Sequence, residues 1–143
     1  MNGVHKVVFD TNILFSAVGW VGNPHLSVQA ARQGKCLSVS CEPILAELGE
    51  KLRLKRGLDG QRVTEIVEEI RAFSKVVTIP GILKIVTADP DDDPIVECAV
   101  VGQATFIVSG DRHLLALGQH EGIRIVKAAD FLKLRAPDPV ELA

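Results

Sequence analysis

Hydrophobic positions along this chain change period repeatedly, and each change marks an element. Val7-Val8-Phe9 is a compact apolar run stopped by Asp10, which predicts a first strand over residues 4–9. A short helix is expected over 13–18, then a loop from Gly19 to Asn23. Pro24 suits the first turn of a helix and Gly34 its end, so 24–33 reads as helical. Cys36 to Val39 predicts a second short strand, after which Ser40 is a natural N-cap for a helix carrying Ile44, Leu45, Leu48 and Leu52 at helical spacing. Gly57 and Gly60 interrupt that pattern. Val63, Ile66, Val67, Ile70 and Phe73 then fall on one face of a helix over 61–73. A third strand is expected at 76–79 and a loop at 80–91, with an extended piece at Ile85-Val86. A helix starting at Asp92 or Asp93 runs to Gly102, followed by a strand at 105–108 and a short helix from the Ser109-Gly110-Asp111 turn through Leu117. A fifth strand at 123–126 and a helix at 128–134 complete the pattern.

Strands alternating with helices imply βαβ units, hence an α/β fold with a largely parallel sheet covered on both faces. No repeat, low-complexity tract or linker divides the chain, so residues 1–143 read as one domain. In open parallel sheets, sites lie outside the carboxyl ends of the strands. Asp10 follows the first strand and Asp111 the fourth. If those strands are neighbours, the two carboxylates converge.

Composition narrows the picture. With no Tyr and a single Trp, the core must be built from Val, Ile, Leu and Ala, which suits strands buried on both faces. A net charge of −2 gives no global affinity for nucleic acid; binding one would need a local basic patch or a bridging metal. Cys36, Cys41 and Cys98 have no zinc-like spacing and read as reduced core thiols. The N-terminus runs straight into a strand without a leader, and no apolar run approaches the ~18 residues of a membrane span. A soluble, cytoplasmic protein is expected.

The chemistry lies in the acids. Asp10 in VVFDTN and Asp111 in IVSGDRHLL each follow a buried strand, and each could simply cap the next helix. Glu47, between Leu45 and Leu48, lies close to the apolar face of its helix. The run Asp89-Pro90-Asp91-Asp92-Asp93 holds more negative charge than one helix start needs. Two carboxylates about 5 Å apart repel by roughly 3 kcal/mol at an effective dielectric of ~20. A converging set therefore calls for a proton or a cation. Hard oxygen donors suit Mg²⁺ or Mn²⁺, which can orient and deprotonate a water for attack on a phosphodiester. His5, His25, His113 and His120 are scattered and read as surface or structural residues.

Four segments, VVFDTNILFSA at 7–17, SCEPILAEL at 40–48, DPDDDPIVECA at 89–99 and FIVSGDRHLL at 106–115, together resemble the PIN-domain family of metal-dependent nucleases. The likeness is greatest to bacterial VapC-like toxin components of toxin–antitoxin pairs. The resemblance implies a three-layer α/β/α sandwich with a mainly parallel central sheet, here of about five strands. It carries over Asp10, Glu47 and Asp111 as catalytic, metal-binding acids. The third acid of the chain order falls in the acidic run, at Asp92 with Asp93 as the backup. Asn12 matches a supporting polar position and Ser109 a hydroxyl that orients the cluster. One or two Mg²⁺ or Mn²⁺ ions are implied, with cleavage of RNA to a 5′-phosphate and a 3′-hydroxyl. An antitoxin partner and a homodimer or higher homo-oligomer are implied as well.

An acidic protein must still hold a polyanion. The most basic stretch is Lys51 to Arg56, with Lys51, Arg53, Lys55 and Arg56 available to phosphates and Arg112, Arg62, Arg71 and Lys75 able to add to it. The scarcity of aromatics argues against base stacking as the main recognition mode. Two other readings compete. A PIN-like domain could be a non-catalytic protein-binding module. An aspartate-nucleophile phosphatase would use Asp10, but that chemistry wants an acid two residues on, where this chain has Asn12.

Overall fold

The computed structural model describes residues 4–86 and 90–134. Its strands are β1 (Lys6–Phe9), β2 (Leu37–Ser40), β3 (Ser74–Val76), β4 (Phe106–Val108), β5 (Gln119–His120) and β6 (Ile123–Val126). Its helices are α1 (Thr11–Gly19), α2 (Asn23–Arg32), α3 (Glu42–Arg56), α4 (Gly60–Ala72), α5 (Asp93–Val101), α6 (Arg112–Leu117) and α7 (Ala128–Leu134). The sheet order is β3-β2-β1-β4-β6-β5, parallel throughout except for β5 on β6. This is the expected α/β architecture with one strand more than anticipated. Among the described residues, no helix is long and apolar enough to cross a membrane.

The most apolar runs form the middle of the sheet. Val7, Val8 and Phe9 are sealed from solvent between β2 and β4, as are Ile107 and Val108. Alternation along each strand sends Val7, Phe9 and Phe106 to one face and Val8, Val39 and Ile107 to the other. On the first face, Phe131 of α7 makes edge-to-face contacts with Phe9 and Phe106, at centroid distances of 6.2 and 5.8 Å. On the second face Gly102, just after α5, lies so close to β2 that a Cβ there would stand 2.4 Å from the Val39 Cγ1. Helices therefore cover both faces, as buried strands on each side require. Each fully buried Val, Ile or Phe contributes about 1.5–3 kcal/mol from area removed from water.

Four local expectations differ. The third strand lies at Ser74–Val76, not 76–79: it pairs with Ser38–Ser40, and a last bond from Val77 N–H to Ser40 O at 2.8 Å closes the ladder. Ser40 closes β2, and the N-cap of α3 is Cys41, which makes no side-chain cap bond. The extra strand β5 is two residues long, joined to β6 through Glu121 and Gly122 at φ 50° and 83°. Both conformations are those of a two-residue hairpin turn. Finally, Ile85 and Val86 join no strand; their N–H groups turn inward to Asp93 Oδ1 at 2.9 and 2.7 Å.

Candidate active site

The β1–β4 pairing decides where the acids go. Phe9 is the partner of Val108, so the chain leaves both strands side by side, and Asp10 N–H donates to Val108 O at 3.1 Å. Asp10, Asn12, Glu47, Asp92 and Asp111 then line one cleft of about 170 Å³, together with Thr11, Lys51, Asp91 and Ile95. Asp10 comes from the end of β1, Glu47 from α3, Asp91 and Asp92 from a 3-10 turn at Pro90–Asp92 ahead of α5, and Asp111 from the turn after β4.

The capping and site readings of Asp10 and Asp111 prove compatible. Asp10 Oδ1 accepts from Ile13 N–H at 2.8 Å and so caps α1. Its Oδ2 accepts a short hydrogen bond from the Ser109 hydroxyl. Asp111 Oδ1 accepts from His113 N–H at 2.8 Å and Leu114 N–H at 3.1 Å, capping α6. Ser109, fully buried, also accepts from Asp111 N–H at 2.9 Å. One hydroxyl thus ties the two acidic turns together.

The electrostatics are strained by like charge. Burial pushes the Asp10 carboxyl up from its ordinary value, and the Asp111 charge adds to this. The Ser109 and Ile13 hydrogen bonds, and more weakly the Lys51 ammonium, offset only part. For Asp111, burial also works upward, but the Leu114 N–H, the Asp92 carboxyl and the His113 N–H outweigh it and hold the group below its usual range. The Asp92 carboxyl lies close enough to Asp111 to act on its ionisation, and both line the same cleft. Neighbouring carboxylates repel, and a proton or a cation between them relieves the repulsion.

Among the described residues, no three or more His, Cys, Asp or Glu side chains are already drawn together tightly enough to ligate an ion. The donor chemistry nevertheless fits a hard divalent cation: the acids of the cleft offer oxygen ligands only, and one of them, Asp10, is buried. Asp10, Asp92 and Asp111, with Glu47 of the same cleft, are the residues that could hold it.

Other candidates fall differently. Asp93 is buried, and its Oδ1 is committed to the Ile85 and Val86 amides, so it serves the fold rather than the cleft. Glu47 is exposed on α3 rather than nestled at the apolar face, and reaches the cleft from its rim. Asn12 Oδ1 accepts from Lys51 Nζ at 2.6 Å at the cleft edge. Asp91 also lines the cleft, and Asp89 lies outside the described residues. Arg112 is exposed next to Asp111. Arg71 is engaged by Glu42 and by Glu68 at 3.0 Å, and Arg62 meets Glu65 at 3.5 Å, so neither is a free cation for a polyanion. Two residues escaped the reading of the sequence. Thr11 lines the cleft with a buried hydroxyl that has no hydrogen-bond partner among the described residues. Glu97, buried on α5, accepts from the N–H groups of Gly81, Ile82 and Leu83 at 3.0–3.2 Å. The signal for Glu97 was available: Asp93 and Glu97 stand four apart on an otherwise apolar helix.

A PIN-domain family model matches residues 6–113. No curated protein matches the chain. Among solved structures, the fold is similar to that in the crystal structure of PAE2754 from Pyrobaculum aerophilum. The TM-score is 0.60 at 17% identity, over 92% of this chain and 96% of that one. The matched segment carries the acidic turns after β1 and β4, the Glu47 helix and the start of α5; the chain belongs to the PIN-domain family, whose members are in general nucleases.

Proposed function

We propose that this protein is a Mg²⁺- or Mn²⁺-dependent endoribonuclease, acting as the toxin of a toxin–antitoxin pair. The observation that carries the reading is the single cleft that Asp10, Glu47, Asp92 and Asp111 line together, a set of carboxyls whose mutual repulsion a cation would relieve. When bound, the metal supplies Lewis acidity, lowering the pKa of a water and neutralising charge on the scissile phosphate and the leaving oxygen. The rest is work for the chain's own residues. Asp10, Asp92 and Asp111 would hold the cation, with Glu47 directly or through water. Ser109 fixes the rotamer of Asp10 and the backbone of Asp111. Lys51, at the rim and oriented by Asn12, offers an ammonium to a phosphate of the bound strand.

The products are a 5′-phosphate and a 3′-hydroxyl, and no acid attacks phosphorus itself. Position 12 is Asn, whose amide cannot protonate a leaving group, and this disfavours a phosphoaspartate mechanism. The toxin role implies a cognate antitoxin that occupies or closes the cleft. The test is cleavage of a panel of RNAs by wild type and Asp10→Asn, with and without chelator. Metal-dependent cleavage that vanishes in the variant is expected; full activity in the variant would sink the assignment.

A further inference from the structure

Beyond the cleft, α1 and α3 run on together and carry an unusual arginine. Lys51 meets Asn12 at the rim, and five residues further along α3 Arg56 meets Phe15 and Gly19 of α1. The Arg56 guanidinium lies 3.9 Å from the Phe15 ring centroid and 5.5 Å from that of Trp20. Gly19 lets it seat there: a Cβ at that position would stand 2.3 Å from Arg56 Nη2. Both terminal nitrogens are shut off from solvent and have no hydrogen-bond partner. The rings satisfy the flat faces of the cation, but its N–H edges are left for an acceptor that the described residues do not supply. A half-buried guanidinium whose N–H edges are turned from water is costly unless those edges meet an acceptor.

Its cover is open to solvent. Trp20 is 59% exposed, ends α1 and is held there by one long backbone bond to Ser16 O at 3.4 Å. Val21 and Leu54 beside it in sequence and on α3 are exposed as well. Arg53 and Lys55 flank Arg56 in sequence, are exposed, and pair with no carboxylate among the described residues. An indole with a free face, an unsatisfied planar cation beneath it and two free cations nearby match one ligand chemistry: a base with its attached phosphate.

We propose that Trp20 and Arg56 form a nucleotide-binding subsite that continues the cleft along α1 and α3. A base stacks on the Trp20 indole, and the adjoining phosphate takes the N–H groups of Arg56 as the indole shifts. The subsite rests on the ribonuclease reading and adds to it a grip on the strand away from the cut. Lys51 and Arg56 are about 7.5 Å apart along the axis of α3, so a short single strand reaches both. A second copy of the chain is a poorer occupant, because a two-fold contact here sets Arg53 and Lys55 against their own counterparts.

The chain has one Trp, so its fluorescence reports on this position alone. The experiment titrates a mixed-sequence single-stranded oligoribonucleotide into Asp10→Asn protein in Mg²⁺ at fixed low salt. Indole emission and the anisotropy of the end-labelled RNA are read together. Saturable quenching is expected at the Kd given by anisotropy. In the same background, Trp20→Ala should weaken binding about tenfold or more, and Trp20→Phe only a few-fold. Arg56→Lys keeps the charge but loses the planar fork, and should also weaken binding about tenfold. Far-UV spectra confirm that each variant is folded. Unquenched emission with an unchanged Kd in Trp20→Ala overturns the subsite. Emission that follows protein concentration without RNA assigns the surface to a second copy, and overturns it too. Metal-dependent cleavage by wild type that Trp20→Ala and Arg56→Lys match removes the subsite and leaves the nuclease reading intact. Quenching without cleavage under any metal does the reverse.

Discussion

Replacing Asp10 by Asn separates the chemistry of the cleft from its architecture. The side chain is 5% exposed, and its ionised form is held against burial and against the Asp111 charge. An amide of the same shape keeps an oxygen for the Ile13 N–H, can donate to Ser109, and carries no charge. Because the folded carboxyl titrates above its ordinary value, the stability linked to Asp10 is full below that ordinary value of 3.8 and is lost as pH rises through the folded value. At pH 7 without metal, ionised Asp10 therefore costs stability. Each pH unit of displacement is worth about 1.4 kcal/mol. Asp10→Asn, which has no charge to desolvate and none to set against Asp111, should therefore melt above wild type at pH 7 in the absence of metal. Thermal melts in chelator at pH 7 should place the variant above wild type, with the gap narrowing towards pH 5 as wild type gains stability. Mn²⁺ should reverse the order, since a ligand at a hundred times its Kd adds about 2.7 kcal/mol to the protein that binds it. A variant that melts below wild type in chelator at pH 7, or a gap that does not change between pH 7 and 5, would refute the reasoning. The burial of Asp10 would then be fully compensated by the fold, and no cation would be called for.

Asp111 should behave oppositely: its depressed value means its contribution is present above the ordinary carboxylate range and is lost only as pH falls below about 4. Melts of Asp111→Asn against pH should therefore show no gain at pH 7. Asp92→Asn should abolish metal-dependent cleavage with the melting temperature retained, whereas Asp93→Ala should lower stability by about 2–4 kcal/mol through two orphaned amides; chemical denaturation and a cleavage assay distinguish the two registers. Glu97→Ala frees three amides and should cost about 2–3 kcal/mol, with hydrogen exchange accelerated at Gly81, Ile82 and Leu83. Ser109→Ala unties Asp10 from Asp111 and should weaken metal binding about 10–100-fold by calorimetry, while leaving both helix caps in place.

Periodicity alone carried the α/β alternation and nearly every helix, because buried strands and amphipathic helices leave different repeats in a sequence. It also placed Asp10 and Asp111 just past buried strands, since a carboxylate that follows a buried apolar run has its position fixed by the strand. The short edge elements were less legible. β3 is half-buried at the sheet edge, and β5 is two residues in a hairpin through a left-handed Glu121, too little chain for a period to register. Among the three consecutive acids of the Asp91–Asp93 run, a sequence sees identical chemistry. Only the packing of α5 against the loop before it commits Asp93 to backbone amides and leaves Asp91 and Asp92 facing the cleft. The same holds for Trp20 and Arg56, thirty-six positions apart in the chain. Residue order determined which groups exist and which strands and helices carry them. The parallel register of β1 on β4 and the close approach of α1 to α3 decided which of them meet, because contacts between distant segments are set by burial across the whole core and leave no local periodicity to read.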